Sequence, residues 1–129
     1  MSNQSEWISK DFGAFNLRFR PYTLTLRHVF TVASFSRSTT PVVLTELEYD
    51  GVIGYGEASM PPYLGESQDS VISFLNQIDL TGFNSPFQTE EILHYIDQLA
   101  SKNTAAKASI DIALNDILGK IMNQSYYKI

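Results

Sequence analysis

The hydrophobic period of this chain changes midway, and that change limits the possible folds more than any other feature. Up to Ala58 apolar residues alternate with polar ones, the two-residue repeat of a half-buried strand. Beyond Ser67 they recur at three and four residue steps, the repeat of an amphipathic helix. Strands followed by helices, rather than interleaved with them, predict the α+β class with helices covering one face of an antiparallel sheet.

Phe15, Leu17 and Phe19 mark one face of the first strand, and after Pro21 the apolar set shifts to Tyr22, Leu24 and Leu26. A change of parity at a residue that cannot donate to a ladder predicts a bulge or bend there. The second strand runs from Pro41 to Tyr49, with Val43, Leu47 and Tyr49 in phase around Thr45, and the third from Val52 to Ala58. Asp50-Gly51 between them suits a two-residue type I′ turn, whose central positions both need positive φ. The three make an antiparallel meander. Its first connection (HVFTVASFSRSTT) and the segment after the third strand (SMPPYLGES) lack a sustained period and are predicted as loops. In a meander the first and third strands run parallel, so both loops leave the same end of the sheet.

In the second half Ser67 is positioned to cap a helix carrying Val71, Ile72, Leu75 and Ile78, with Asp69 in its first turn. Ser85-Pro86-Phe87-Gln88 reads as the opening of a second helix with Thr89 as a competing start, and Ile92, Leu93, Ile96 and Leu99 as its buried stripe. Ala106, Ile110, Ala113, Ile117 and Ile121 form the stripe of a third, opened by Asn103 or Thr104.

At 129 residues the chain holds one ordinary domain, too short for an α/β barrel of roughly 250 residues. A net charge of -5 with no basic cluster argues against nucleic acid and against a membrane surface. The absence of cysteine removes disulfides and thiolate chemistry and suits a reducing compartment. No signal-like start or long apolar run is evident, so a soluble, cytoplasmic protein is expected.

Two stretches carry a family resemblance. AKASIDIALNDILGK, Ala106 to Lys120, resembles the signature helix of the mandelate racemase/muconate-lactonizing enzyme family of the enolase superfamily, with Asn115 where that family commonly has an aromatic. Small Ala106, Ala108, Ala113 and Gly119 would permit close approach of another backbone, and Asp111 and Asp116, about 140° apart, need not share a partner. YDGVIGYGEASMPPYLGES, Tyr49 to Ser67, is similar to the family's hairpin, G-x-G-E segment (Gly54, Gly56, Glu57) and mobile loop. It lacks the strand-to-helix context of a phosphate cradle.

The resemblance, to dipeptide epimerases of the L-Ala-D/L-Glu type above all, implies an N-terminal capping domain spanning 14–122. A tail would precede it (1–13), and 123–129 would begin a linker to a barrel absent from this chain. That barrel would bear the catalytic lysines and the carboxylates that hold Mg²⁺, and would abstract a proton next to a substrate carboxylate. No catalytic residue or metal ligand is expected here. The implied partners are a small-molecule substrate, a dipeptide by this reading, and the protein's own barrel, in a homo-oligomer.

Carried over residue by residue, the substrate-facing candidates are Phe30, Thr31, Val32 and Arg37 of the first loop and Met60, Pro61, Tyr63 and Leu64 of the second. Arg37 is the sharpest, because a guanidinium fork suits a carboxylate bidentately; a solvated loop arginine is the bland alternative. Without a barrel, the third helix and the tail with Tyr126 and Tyr127 would expose an apolar patch, and self-association is expected. Alternatives are the cap of a muconate cycloisomerase or o-succinylbenzoate synthase, and a non-catalytic α+β interaction module. His28 and His94 lack a second ligand at suitable spacing, Glu46 and Glu48 read as a polar sheet face, and Glu57 reads as a structural anchor.

Overall fold

The computed structural model describes residues 6–27, 37–60 and 66–128. Four strands form one antiparallel sheet in sequence order, β1 (Ile8–Asp11), β2 (Phe15–Arg27), β3 (Arg37–Tyr49) and β4 (Val52–Ser59), followed by α1 (Gln68–Asn76), α2 (Thr89–Gln98) and α3 (Thr104–Lys128). The predicted meander is present with one strand added at its edge. β1 lies within the expected N-terminal tail, and α3 continues through the expected linker.

Residue alternation sorts the sheet into two faces. Phe15, Leu17 and Phe19 of β2 lie opposite Tyr49, Leu47 and Thr45 of β3, which in turn pair with Val52, Gly54 and Gly56 of β4. This face is buried beneath Val71, Phe74 and Leu75 of α1, Ile92 and Ile96 of α2, and Ile110, Ala113 and Ile117 of α3. Each fully buried Leu, Ile or Phe contributes about 1.5–3 kcal/mol relative to exposure, so this single layer of side chains is the dominant stabilising term. The opposite face carries Arg18 and Glu46, directly paired across β2 and β3 and joined by an ion pair, with Glu48 beside them. The Glu46 and Glu48 pair thus lies on a polar sheet face, as expected.

The β3–β4 turn has Asp50 at φ 52° and Gly51 at φ 79°, the two positive values of a type I′ hairpin. Pro21 departs from expectation: β2 pairs with β3 residue for residue straight through Pro21↔Val43, without a bulge. The Phe12 amide donates to the Phe15 carbonyl (2.8 Å), so odd-numbered residues of β2 aim their backbone polar groups at β1. β1 ends at Ile8↔Phe19, and Pro21 therefore faces an open edge where no donor is needed.

Ser67 caps α1 as predicted: its hydroxyl accepts from the Ser70 amide (3.1 Å), and Ser70 Oγ accepts from the Ser67 amide (3.0 Å), a reciprocal box that stabilises by about 1 kcal/mol. The second helix begins at the competing site. Ser85 to Gln88 fold into a separate turn in which Gln88 Oε1 accepts from the Asn84 and Ser85 amides, and α2 starts at Thr89.

α3 lies on β4 at unusually short range, and the sequence shows why. A Cβ on Gly54 would sit 2.6 Å from Ile117 Cγ1 and closer still to the Ala113 carbonyl; on Gly56 it would sit 2.7 Å from Thr45 Oγ1 and closer still to the Ser109 carbonyl. The G-x-G spacing places both missing side chains on the helix-facing side of one strand. Ala106 and Ala113 of the predicted small set face this contact, whereas Ala108 and Gly119 are exposed on the far side of α3. Their opposite placement follows from the 100° advance per residue.

Candidate functional site

The end of the sheet from which both connections leave is the candidate site. β2 and β3 continue as a two-stranded ribbon from Thr23↔Pro41 to Arg27↔Arg37, past the last β3–β4 pair, Val42↔Ser59. At 3.3–3.4 Å per residue the ribbon projects about 15 Å beyond β4. The two connections, 28–36 and 61–65, start from this same end, as the meander topology required.

Arg37 is the first residue of β3, opposite Arg27, rather than a member of the loop. Ser38, Thr39 and Thr40 extend the strand toward it, and threonines favour a pleated backbone. The Arg37 side chain, and Phe30, Thr31, Val32, Pro61, Tyr63 and Leu64, lie outside the described residues, as does His28. Met60 is described and is buried, continuing the helix-facing parity of Gly54, Gly56 and Ala58. It roots the second connection in the core instead of presenting a side chain to a ligand, which differs from the expected loop position.

The far end of that connection is rooted electrostatically. Glu66 Oε2 accepts from the Ala105 amide (3.3 Å) in the first turn of α3, where unpaired N–H groups and the helix dipole favour a carboxylate. Gln68 then reaches the sheet, its Nε2 donating to the carbonyls of Tyr22 and Val42 (both 3.0 Å) at the point where the ribbon leaves β4 behind. Glu66 and Gln68 were not singled out in the sequence; the only available signal was their place between the loop and the Ser67 cap. Together these contacts hold both ends of the second connection, and the base of the ribbon that carries the first, to one end of the sheet.

Among the described residues, other carboxylates and His94 have structural partners or face solvent. Asp116 Oδ2 accepts from the Tyr55 amide (2.9 Å) and pairs with Lys120 Nζ (3.0 Å), while Lys120 donates to the Ile53 carbonyl (2.7 Å). These two side chains occupy outward-facing backbone groups of the β4 edge, the role a further strand would play. The Tyr55 amide, and then Lys120, hold the Asp116 carboxyl below its usual range. Asp111 accepts instead from Asn115 Nδ2 (2.7 Å), so the two aspartates of the signature helix serve different partners. Thr81, through hydroxyl and amide, likewise lowers Asp79. His94 is exposed on α2, and Glu57 is exposed on the outer sheet face.

Open grooves among the described residues include two of similar size. One of about 590 Å³ lies on the outer sheet face among Trp7, Leu44, Glu46, Tyr55 and Glu57; the other, about 500 Å³, lies between α2 and α3. Ser59 lines the first with Glu46 and Glu57, and Ser101 and Thr104 line the second with Asp97 and Asp111, but in neither is a hydroxyl hydrogen-bonded to a carboxylate. Among the described residues no group of three or more His, Cys, Asp or Glu side chains could hold a metal ion, so these residues offer Mg²⁺ no site. No helix among these residues is long and apolar enough to cross a membrane.

Residues 16–129 match the sequence profile of the mandelate racemase/muconate lactonizing enzyme N-terminal domain. The chain is 58% identical to an L-Ala-D/L-Glu epimerase of Bacteroides thetaiotaomicron over 91% of its own length and 30% of that enzyme's. It is 37% identical to an N-succinyl-L-Arg/Lys racemase of Bacillus cereus, over 82% of this chain and 30% of that one. A solved substrate-liganded complex of the L-Ala-D/L-Glu epimerase from Bacillus subtilis superposes with a TM-score of 0.58 at 30% identity, covering 75% of this chain and 29% of the other. The chain thus spans about 30% of the length of the relatives it matches.

Proposed function

Because the chain belongs to the mandelate racemase/muconate lactonizing enzyme family as its N-terminal domain, we propose that it is the substrate-capping and specificity portion of an epimerase acting on dipeptides, L-Ala-D/L-Glu foremost. The observation that carries this reading is the 58% identity to such an epimerase across 91% of the chain. Its closely related proteins are epimerases and racemases, that is, isomerases.

The rigid end built by Met60, Glu66 and Gln68 supports the division of labour. A cap that governs access needs connections held at their roots and variable at their tips, so that closure excludes water and orients the substrate. Arg37, with Phe30, Thr31 and Val32 of the first connection and Pro61, Tyr63 and Leu64 of the second, are the residues proposed to face the dipeptide. Met60 holds the second connection in place. Proton abstraction belongs to the downstream barrel, where a bound Mg²⁺ would stabilise negative charge developing on the substrate carboxylate. The 129 residues alone are proposed to bind no metal and turn over no substrate.

The test uses the parent polypeptide carrying this domain. In D₂O with Mg²⁺ it should exchange the α-proton of the second residue of L-Ala-L-Glu, and the 129-residue chain should not. Exchange confined to succinylbenzoate precursors, or no exchange on any dipeptide, would refute the dipeptide reading.

A further inference from the structure

α3 does not supply its own N-terminal cap. The Asn103 carbonyl accepts the first helical bond, from the Lys107 amide (3.0 Å), which makes Asn103 the capping position. A residue there ordinarily has an extended backbone, from which its side chain reaches the second or third amide of the helix. Asn103 is instead left-handed, at φ 69°, and neither its side chain nor that of Thr104 bonds those amides. The Ala105 amide, second in the helix, finds its acceptor 39 residues earlier in the chain, in Glu66 Oε2.

This contact differs from a surface carboxylate resting near a helix. The other carboxylate oxygen, Oε1, is shut off from solvent and has no hydrogen-bond partner among the described residues. A side chain free to turn would hydrate that oxygen, since burying an unsatisfied charge is costly. The anchor is also fixed. Ala105 and Ala106 are buried, and Lys107 in the same turn donates to the Ala100 carbonyl (2.6 Å) and to Asp97 (3.1 Å), fastening the end of α2 to the start of α3. Gly54 faces Ala113 and Ile117 while Gly56 faces Ser109, so α3 runs antiparallel to β4. Its N-terminus therefore lies at the end of the sheet where β4 finishes and both connections leave, with the positive end of its dipole toward the carboxylate. Glu66 and Ser67, consecutive in sequence, thus cap two different helices, α3 and α1, and neither can shift without uncapping one of them.

We infer that Glu66 is a positioning residue for the second connection: by capping α3 in place of Asn103 it fixes where that connection ends, and so how it meets the substrate. Glu66 acts through the connection and not on the substrate itself. The inference rests on the capping role proposed above.

The parent polypeptide serves for the test. With L-Ala-L-Glu as substrate and α-proton exchange as the readout, Glu66→Ala should raise KM about tenfold and leave kcat within about threefold, the pattern of lost uniform binding. Glu66→Gln, which keeps an acceptor oxygen at the same reach, should stay within about threefold of the parent in both constants. Asp116→Asn, which loosens α3 against β4 away from this end, should lower Tm without moving KM. Amide hydrogen exchange adds a readout that needs no turnover: in Glu66→Ala, protection should fall about tenfold in residues 104–108 and 60–68 together, and Glu66→Gln should retain both. An unchanged KM in an active Glu66→Ala enzyme, a Glu66→Gln variant as impaired as Glu66→Ala, or protection lost at 104–108 alone overturns the inference. A parent polypeptide that acts on no dipeptide refutes the dipeptide reading instead, and hydrogen exchange then decides the role of Glu66 by itself.

Discussion

Gly56→Ala tests the contact on which the fold of this domain turns. The added methyl would lie 2.7 Å from Thr45 Oγ1 and nearer still to the Ser109 carbonyl, and both are held in place, Thr45 by the central strand and Ser109 by the helix backbone. Neither neighbour is the far end of a flexible side chain, so α3 must withdraw from β4 by about 1 Å to restore ordinary van der Waals distance. A gap of that size forfeits a quarter to a half of the dispersion energy of each atom pair it separates. The affected pairs include those of Ile110, Ala113 and Ile117, which are fully buried. Overpacking of this kind costs about 3 kcal/mol, a large fraction of the roughly 5–15 kcal/mol that holds a domain folded. With a urea m-value of about 1.5 kcal/mol/M, the unfolding midpoint followed by circular dichroism should fall by about 2 M. Gly54→Ala, against Ala113 and Ile117, should behave alike. Gly82→Ala, where nothing lies within 4 Å of the new methyl, should shift the midpoint by less than about 0.3 M. If Gly56→Ala is as well tolerated as Gly82→Ala, the close helix–strand packing described above is wrong.

Two further outcomes follow from single side chains. Thr45 is buried and its hydroxyl has no hydrogen-bond partner among the described residues, so Thr45→Val removes an unsatisfied group at nearly constant shape and should stabilise by about 1 kcal/mol, read as a rise in Tm. Asp116 has its pKa lowered by the Tyr55 amide and Lys120; the folded value lies below the unfolded one, so its contribution is complete above the ordinary carboxylate range and is lost as pH falls through the depressed value. Asp116→Asn should therefore cost no more than about 1 kcal/mol at neutral pH, the pair being exposed, and the difference from the parent sequence should shrink as pH is lowered below about 4 in thermal melts.

Much of the candidate site was legible as topology and little of it as side chains. Two strands joined by Asp50-Gly51 and a preceding antiparallel strand oblige the two connections to leave one end, whatever their composition. The identity of the roots was not legible in the same way. Met60 sits in a Ser, Pro and Gly-rich segment that reads as loop, yet it keeps the parity of β4 and is buried. Arg37 reads as loop because its neighbours are small and polar, yet Ser38, Thr39 and Thr40 complete a ladder with Leu26, Thr25 and Leu24. β1 escaped notice because four residues, two of them charged, have too few positions to display alternation.

Features that depend on near neighbours along the chain were legible in the amino-acid order: the strand period, the positive-φ turn, the Ser67 cap and the helical stripes. Tertiary structure alone decided what depends on which element lies across the gap. Pro21 was a predicted break and became an ordinary strand residue, because β1 stops short of it and leaves no ladder donor missing. Gly54 and Gly56 were letters of a motif and became the contact surface for α3, because a missing Cβ has meaning only when another backbone occupies its place. A stripe of apolar residues is set by local periodicity, but whether it is covered is set by partners distant in sequence.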